Sequence, residues 1–360
     1  MEQERKPRVA ITHGDTNGVG YELIFKTFED PMMLELCTPI IYGAPKVATY
    51  HHKILGLETP FSVINTVDEA KENRLNLLTV FDDEIKVELG QSSEEATDAA
   101  RKALKRAMVD IQQGKTDVLV MGPDNLPDFL SKEPEVLRVR IADELRVALV
   151  TNLLAIKDVP ESITKQRIVE KGIILHNCLR RDLRISNPRI AVLALNPPSD
   201  NVDDPWGEEE KEMIIPAIEE LEQKNIQAFG PYAVDMLFGG SDYQQFDGIL
   251  AMYHDQGLTP LKSIALDDGI SLITGMPFVC TRSETGVAYD QAGKGTVDET
   301  ALRHAVFMGI DVYRNRINYD EPLANPLPKL YKEKRDDSEK VRFAIPKGKE
   351  TKKEEIEKKE

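Results

Sequence analysis

Short apolar runs alternate along the chain with longer stretches whose apolar positions recur at helical spacing. RVAIT (8–12) passes through a glycine-rich turn into YELIFKTF, and PIIYG (39–43) passes into APKVATYHHKIL. The segment SEEATDAARKALKRAMVDIQQG (93–114) combines strong helix formers, apolar residues on one face and a closing glycine, which predicts a helix. DVLVMGP (117–123) then reads as a buried strand. RIAVLALNP (189–197), EEEKEMIIPAIEELEQKN (208–225), DGILAMYH (247–254) and ETALRHAVFMGIDVYRNRI (299–317) continue the alternation. Strand–helix alternation of this kind predicts an α/β protein with a parallel or mixed sheet covered on both faces by helices. From Tyr331 the pattern fails. The end of the chain is mostly charged and cannot bury enough surface to offset its ordering entropy, so residues 331–360 are expected to be a solvated, disordered tail.

Composition narrows the function. The chain has 360 residues, 41% of them hydrophobic, enough for one large or two medium α/β domains. Its formal net charge of −16 repels phosphate backbones, which argues against a nucleic-acid partner. Cys37, Cys178 and Cys280 show no paired spacing, as expected of a reducing compartment. MEQERKPRVAIT lacks the apolar core of a signal peptide, and no apolar stretch is long enough to cross a bilayer. The expectation is a soluble cytoplasmic protein without a membrane partner.

Three segments carry candidate chemistry. In THGDTNGVGYE (12–22), Gly14, Gly18 and Gly20 lie between a strand and a helix, where backbone amides can approach an anion such as a nucleotide phosphate. The spacing matches neither the dinucleotide fingerprint nor a P-loop, and a tight strand-to-helix turn explains it better than a phosphate site does. In GILAMYHDQGLTPLK (248–262), an apolar run ends in His254, Asp255 and Gln256, and Lys262 follows. A strand in an open α/β sheet delivers ligand-binding residues at its carboxyl end. There His254 has the chemistry of a metal ligand, Asp255 that of its orienting partner or a base, and Lys262 that of an anion clamp. In NPPSDNVDDPW (196–206), Asp200, Asp203 and Asp204 offer an oxygen-rich metal site or simply a polar surface turn. Of the six histidines (13, 51, 52, 176, 254 and 304), only His254 and, less clearly, His13 fall where a strand opens into a loop.

GDTNGVGYEL, YGAPKVATYHHKIL, PRIAVLALNP, GPYAVDMLF, AMYHDQGLTPLK and DQAGKG, in this order, resemble the 4-hydroxythreonine-4-phosphate dehydrogenase family of vitamin B6 biosynthesis, from about Arg8 to Tyr331. The resemblance implies a fold like that of isocitrate and isopropylmalate dehydrogenases: two α/β/α subdomains with a cleft between them. Residues 1–145 with 300–330 would form the first and residues 146–299 the second. It also implies a homodimer with its active site near the subunit interface. The reaction implied is NAD- or NADP-linked oxidation of a phosphorylated hydroxy acid, followed by decarboxylation, with three imidazoles holding a divalent metal such as zinc.

The positions matching the family's functional residues are mostly substituted. The first metal-ligand position is Leu153, in VALVTNLLAI, and the second is Pro198, in LNPPSDN; the third is kept as His254. Between GPDNL and ADELRVAL, where the family carries a G-H-T-E segment, there is no histidine. The lysine of a family G-P-x-x-K pattern is Leu126, while the substrate-binding lysine is kept as Lys262. The substrate-binding asparagine and arginine positions are Ser271 and Cys280, with Arg282 two residues further on. Two readings stay open. The chain is a dehydrogenase of this family, its metal site rebuilt on Asp200, Asp203 or Asp204. Alternatively it is a non-catalytic paralogue that keeps the dimer scaffold and binds a nucleotide or small acid.

Overall fold

The structure, a computed structural model, describes residues 5–57, 59–81, 85–126, 135–201, 203–265 and 269–326, so the tail at 331–360 lies outside the described residues. In chain order the elements are β1 (Arg8–Thr12), α1 (Gly20–Thr27), α2 (Pro31–Leu36), β2 (Thr38–Gly43), α3 (Pro45–Leu55), β3 (Phe61–Ile64), β4 (Leu75–Thr79), α4 (Glu94–Gln112) and β5 (Val118–Met121). Then come β6 (Leu137–Ala142), β7 (Leu145–Leu149), α5 (Val159–Ser162), α6 (Lys165–Asn177), β8 (Arg189–Leu193), α7 (Ile215–Gln223), β9 (Gln227–Tyr232) and α8 (Val234–Gly239). β10 (Gly248–Ala251), α9 (His254–Ile264), β11 (Ile270–Thr274), β12 (Val279–Ser283) and α10 (Thr300–Ala324) complete the chain. The described residues up to Tyr319 form one compact unit, and all that follows concerns it.

All the strands join one mixed sheet of order β3-β4-β2-β1-β5-β12-β11-β6-β7-β10-β8-β9. Both outer parts are parallel, and β12, β11, β6 and β7 join them through antiparallel pairings. β5 and β10 are buried along their whole length, which explains their unbroken apolar sequence. β6 alternates instead: Arg138 and Arg140 share one face, with Leu137, Val139 and Ile141 on the other.

The helices follow local chemistry. Ser93 caps α4 by accepting from the Ala96 amide at 3.1 Å. Ala96, Ala99, Ala100, Ala103 and Ala107 make its buried face so shallow that it lies close on β1, β2 and β5. α6 runs into a π-helical turn, Cys178–Asp182, which carries a buried carboxylate. Asp182 accepts from Arg316 of α10 through both oxygens, at 2.7 and 2.9 Å, and from the Thr274 hydroxyl at 3.0 Å. This ion pair ties three elements together. Arg316→Met leaves the Asp182 charge buried without its cation and should cost about 3–5 kcal/mol, read as a shift in the urea unfolding free energy.

Candidate active site

The carboxyl ends of β7, β10 and β8 lie side by side, and buried polar side chains lock them there. The Thr151 hydroxyl donates to the Met252 carbonyl at 2.7 Å. Gln256 accepts from the Met252 amide at 2.7 Å and donates to the Ala194 carbonyl at 2.5 Å. Glu210, fully buried, accepts from the amides of Leu195 and Asn196 at 2.9 and 2.8 Å and fixes the turn beyond β8. Positions 153, 254 and 198 therefore follow the ends of three neighbouring strands, the edge at which open α/β sheets place their ligands.

What stands at those positions does not fit a metal ion. Leu153 is 78% exposed, and Pro198 is exposed at the surface. His254 opens α9, its Nδ1 2.8 Å from Asp255 Oδ1. Asp200, Asp203 and Asp204 are exposed in a surface turn, and Asp204 binds Lys211 at 2.7 Å. Among the described residues no three His, Cys, Asp or Glu side chains come close enough together to hold a metal.

Lys262 faces elsewhere. It lies eight residues after His254, about 12 Å along the helix axis, and lines a cleft of about 510 Å³ with Arg140, Glu284, Thr285, Gln291 and Asp298. Lys262 forms no ion pair among the described residues. Register places Arg140, which lines the cleft, opposite Ser271 and Arg282 on β6, β11 and β12, on one face of the sheet. Buried Ser271 donates to Glu284, whose other oxygen lies 3.9 Å from Arg140. Arg282, one pleat along from Cys280, reaches the Asp124 carbonyl at 3.1 Å. Cys280 is fully buried in an apolar cluster against which Leu126 packs, so neither position offers an anion a partner. Arg140 and Glu284 went unnoticed in the sequence. The only trace of Arg140 is the alternation of LRVRIA, and cross-strand neighbours are not legible without the register.

The glycine turn has a packing role. Gly14 has φ +72°, and a Cβ there would meet the Pro123 carbonyl oxygen at 2.0 Å; one on Gly20 would meet the His13 carbonyl oxygen at 1.8 Å, and one on Gly18 the Val287 side chain at 2.4 Å. The amides of Asp15, Gly18 and Val19 donate to Pro123, Asp15 and Val287 carbonyls, so they are not aimed at a phosphate. Instead the turn anchors the segment that carries DQAGKG. Tyr289 donates to Asp15 at 2.8 Å, and Lys26 of α1 donates to the Gly295 and Val297 carbonyls at 2.8 and 2.7 Å.

The chain matches the family model described as pyridoxal phosphate biosynthetic protein PdxA over residues 35–309. It belongs to that family. It is 47% identical to the 4-hydroxythreonine-4-phosphate dehydrogenase of Bacteroides thetaiotaomicron, covering 95% of this chain and 98% of that protein. It is 30% identical to the D-threonate 4-phosphate dehydrogenase of Cupriavidus necator, over 86% of this chain and 98% of that one. The crystal structure of a 4-hydroxythreonine-4-phosphate dehydrogenase from Burkholderia phymatum superposes with a TM-score of 0.70 at 30% identity, covering 86% of this chain and 99% of that one. The mixed α/β fold is thus that of the PdxA family. No helix among the described residues is long and apolar enough to cross a membrane.

Below the glycine turn, His13 and His51 stack on the two sides of Tyr21, with ring centroids 4.9 and 5.0 Å away. Burial pushes both imidazoles down to about 4. The unfolded chain therefore binds more protons between about pH 6.5 and 4. The contribution of these groups is fully present above about pH 6.5 and is lost as pH falls toward 4, by roughly 3 kcal/mol for each histidine. His51→Gln, which takes up no proton, should show a shallower fall in the urea midpoint across that range than the unsubstituted chain.

Proposed function

We propose that this PdxA-family chain oxidises a phosphorylated hydroxy acid of the 4-hydroxythreonine 4-phosphate kind, with NAD or NADP as hydride acceptor and decarboxylation to follow. The observation that carries the reading is the 47% identity, over nearly the whole chain, to a protein named for that activity. The pyridine nucleotide supplies the hydride acceptor when bound. Lys262, with Arg140 across the cleft, holds the anionic groups by charge-assisted hydrogen bonds. Asp255 orients His254, which takes the proton of the substrate hydroxyl. Since His254 and Lys262 lie well apart on one helix, the homodimer is part of the proposal: one protomer's His254 edge meets its partner's cleft. The exposed apolar run Leu153, Leu154 and Ile156 supports an interface on that edge.

No step is assigned to a metal, because the residues present do not fit one. Lys262 and Arg140 are then the cations left to stabilise the charge that develops as CO2 departs, and turnover is expected orders of magnitude below that of a relative with three imidazoles. Leu153 and Pro198 also favour a second reading, a paralogue that binds the acid without turning it over.

The deciding experiment is NAD(P)H production from 4-hydroxythreonine 4-phosphate by the purified full chain, with metal analysis of the same sample. Slow but saturable turnover with well under one zinc per subunit is expected; stoichiometric zinc after dialysis against a chelator would overturn the account of the site. Binding without turnover would select the second reading. Lys262→Ala should weaken binding of the phosphorylated acid by about one to two decades, measured by calorimetry. Sedimentation at micromolar concentration should give about twice 40.5 kDa; a monomer would remove the shared-cleft arrangement.

A further inference from the structure

A second cavity, of about 620 Å³, opens beyond the carboxyl ends of β8 and β9, outside the cleft of Lys262. Its walls are mostly aromatic and apolar: Trp206, Tyr232, Phe246, Met236 and Pro198 line it, and among the described residues lining it only Asp242 is charged. The Tyr232 and Phe246 rings pack 5.4 Å apart at 56°, forming a corner rather than a flat wall. Trp206 is half-buried and Met236 is 70% exposed, so apolar surface borders the opening. The volume lies in the range that encloses a small organic ligand, and the strand-end position is where open α/β sheets bind one.

The lining also selects a charge. Aromatic faces attract organic cations, and Phe246 already holds the Arg189 guanidinium 5.3 Å from its centroid. Arg189 does not line the cavity. The loop that supplies Trp206 also carries exposed Asp200 and Asp203, and among the described residues no cation lines the walls to hold a phosphate. From this aromatic corner beside a single carboxylate we infer that the cavity binds a small organic cation of the N-alkylpyridinium or quaternary-ammonium type, stacked against Trp206 with its charge toward Asp242. Pro198 is shared with the strand edge that carries His254, while the cleft of Lys262 lies outside this cavity.

The chain contains one tryptophan, so its emission reports this cavity alone. The test titrates the full chain with 1-methylnicotinamide, a pyridinium cation, and with nicotinamide, its neutral counterpart. The cation should change Trp206 emission saturably, at unchanged excited-state lifetime, and bind at least tenfold more tightly than the neutral ring. Asp242→Asn, at an exposed position, should remove that preference while leaving the circular dichroism spectrum unchanged. Calorimetry on Met236→Asp checks the cavity at a second exposed wall position and should show altered cation binding with the fold intact. Equal response to the two rings, a response that never saturates, or a preference that survives Asp242→Asn overturns the inference. So does emission that changes on dilution without any ligand, which would mean that a second copy of the chain covers the cavity.

Discussion

One buried amide organises the edge of the sheet that matters most. Gln256 spans from β10 to β8, satisfying the Met252 amide with its oxygen and the Ala194 carbonyl with its nitrogen. Either backbone group left unpaired at that depth would cost about 1–3 kcal/mol. Thr151 makes the equivalent tie from β7. Strand ends held on both sides cannot slip relative to one another, so the residues that follow them are presented at fixed spacing. The functional interest of the molecule depends on that spacing, whatever side chains occupy the positions.

The sequence revealed the regular parts best. The helix read at 93–114 forms over 94–112, and the strands read from RVAIT, PIIYG, DVLVMGP and RIAVLALNP all form. Apolar periodicity is a local property, so a local pattern finds it. β6, β7, β11 and β12 were not drawn from periodicity, although LRVRIA alternates; their identity as the middle of the sheet depends on partners far away in the chain. The site was legible in proportion to how local its chemistry is. The cluster at His254 was visible because its members are adjacent. The cleft of Lys262 was not, because Arg140, Glu284 and Gln291 meet it from separate elements. Within HDQG, the residue that holds the fold is Gln256, the least conspicuous of the polar three. The glycines of the first turn fit the tight turn better than an anion cradle, although close backbone approach to a ligand and to another strand demand the same absence of a Cβ.

The residues that pack this chain are largely not its candidate chemical residues. Family resemblance persists in the glycine turn, the strand cores and the segment pinned by Tyr289 and Lys26, all of which are paid for by burial and hydrogen bonds. At 126 and 280 the side chains sit in hydrocarbon contact, and at 153 a leucine is exposed, so exchanges there touch few of these ties. Such replacements barely disturb a fold whose backbone is held from elsewhere.

The tethering of the three strand ends therefore bears on ancestry as well as on stability. An active centre whose geometry comes from the main chain can lose its side chains one at a time without collapsing, and the vacated positions remain aligned. The path is open in both directions: a lineage can drift away from a chemistry on this scaffold and return to it, or recruit another, by exchanging a few side chains on a frame that does not have to be built again.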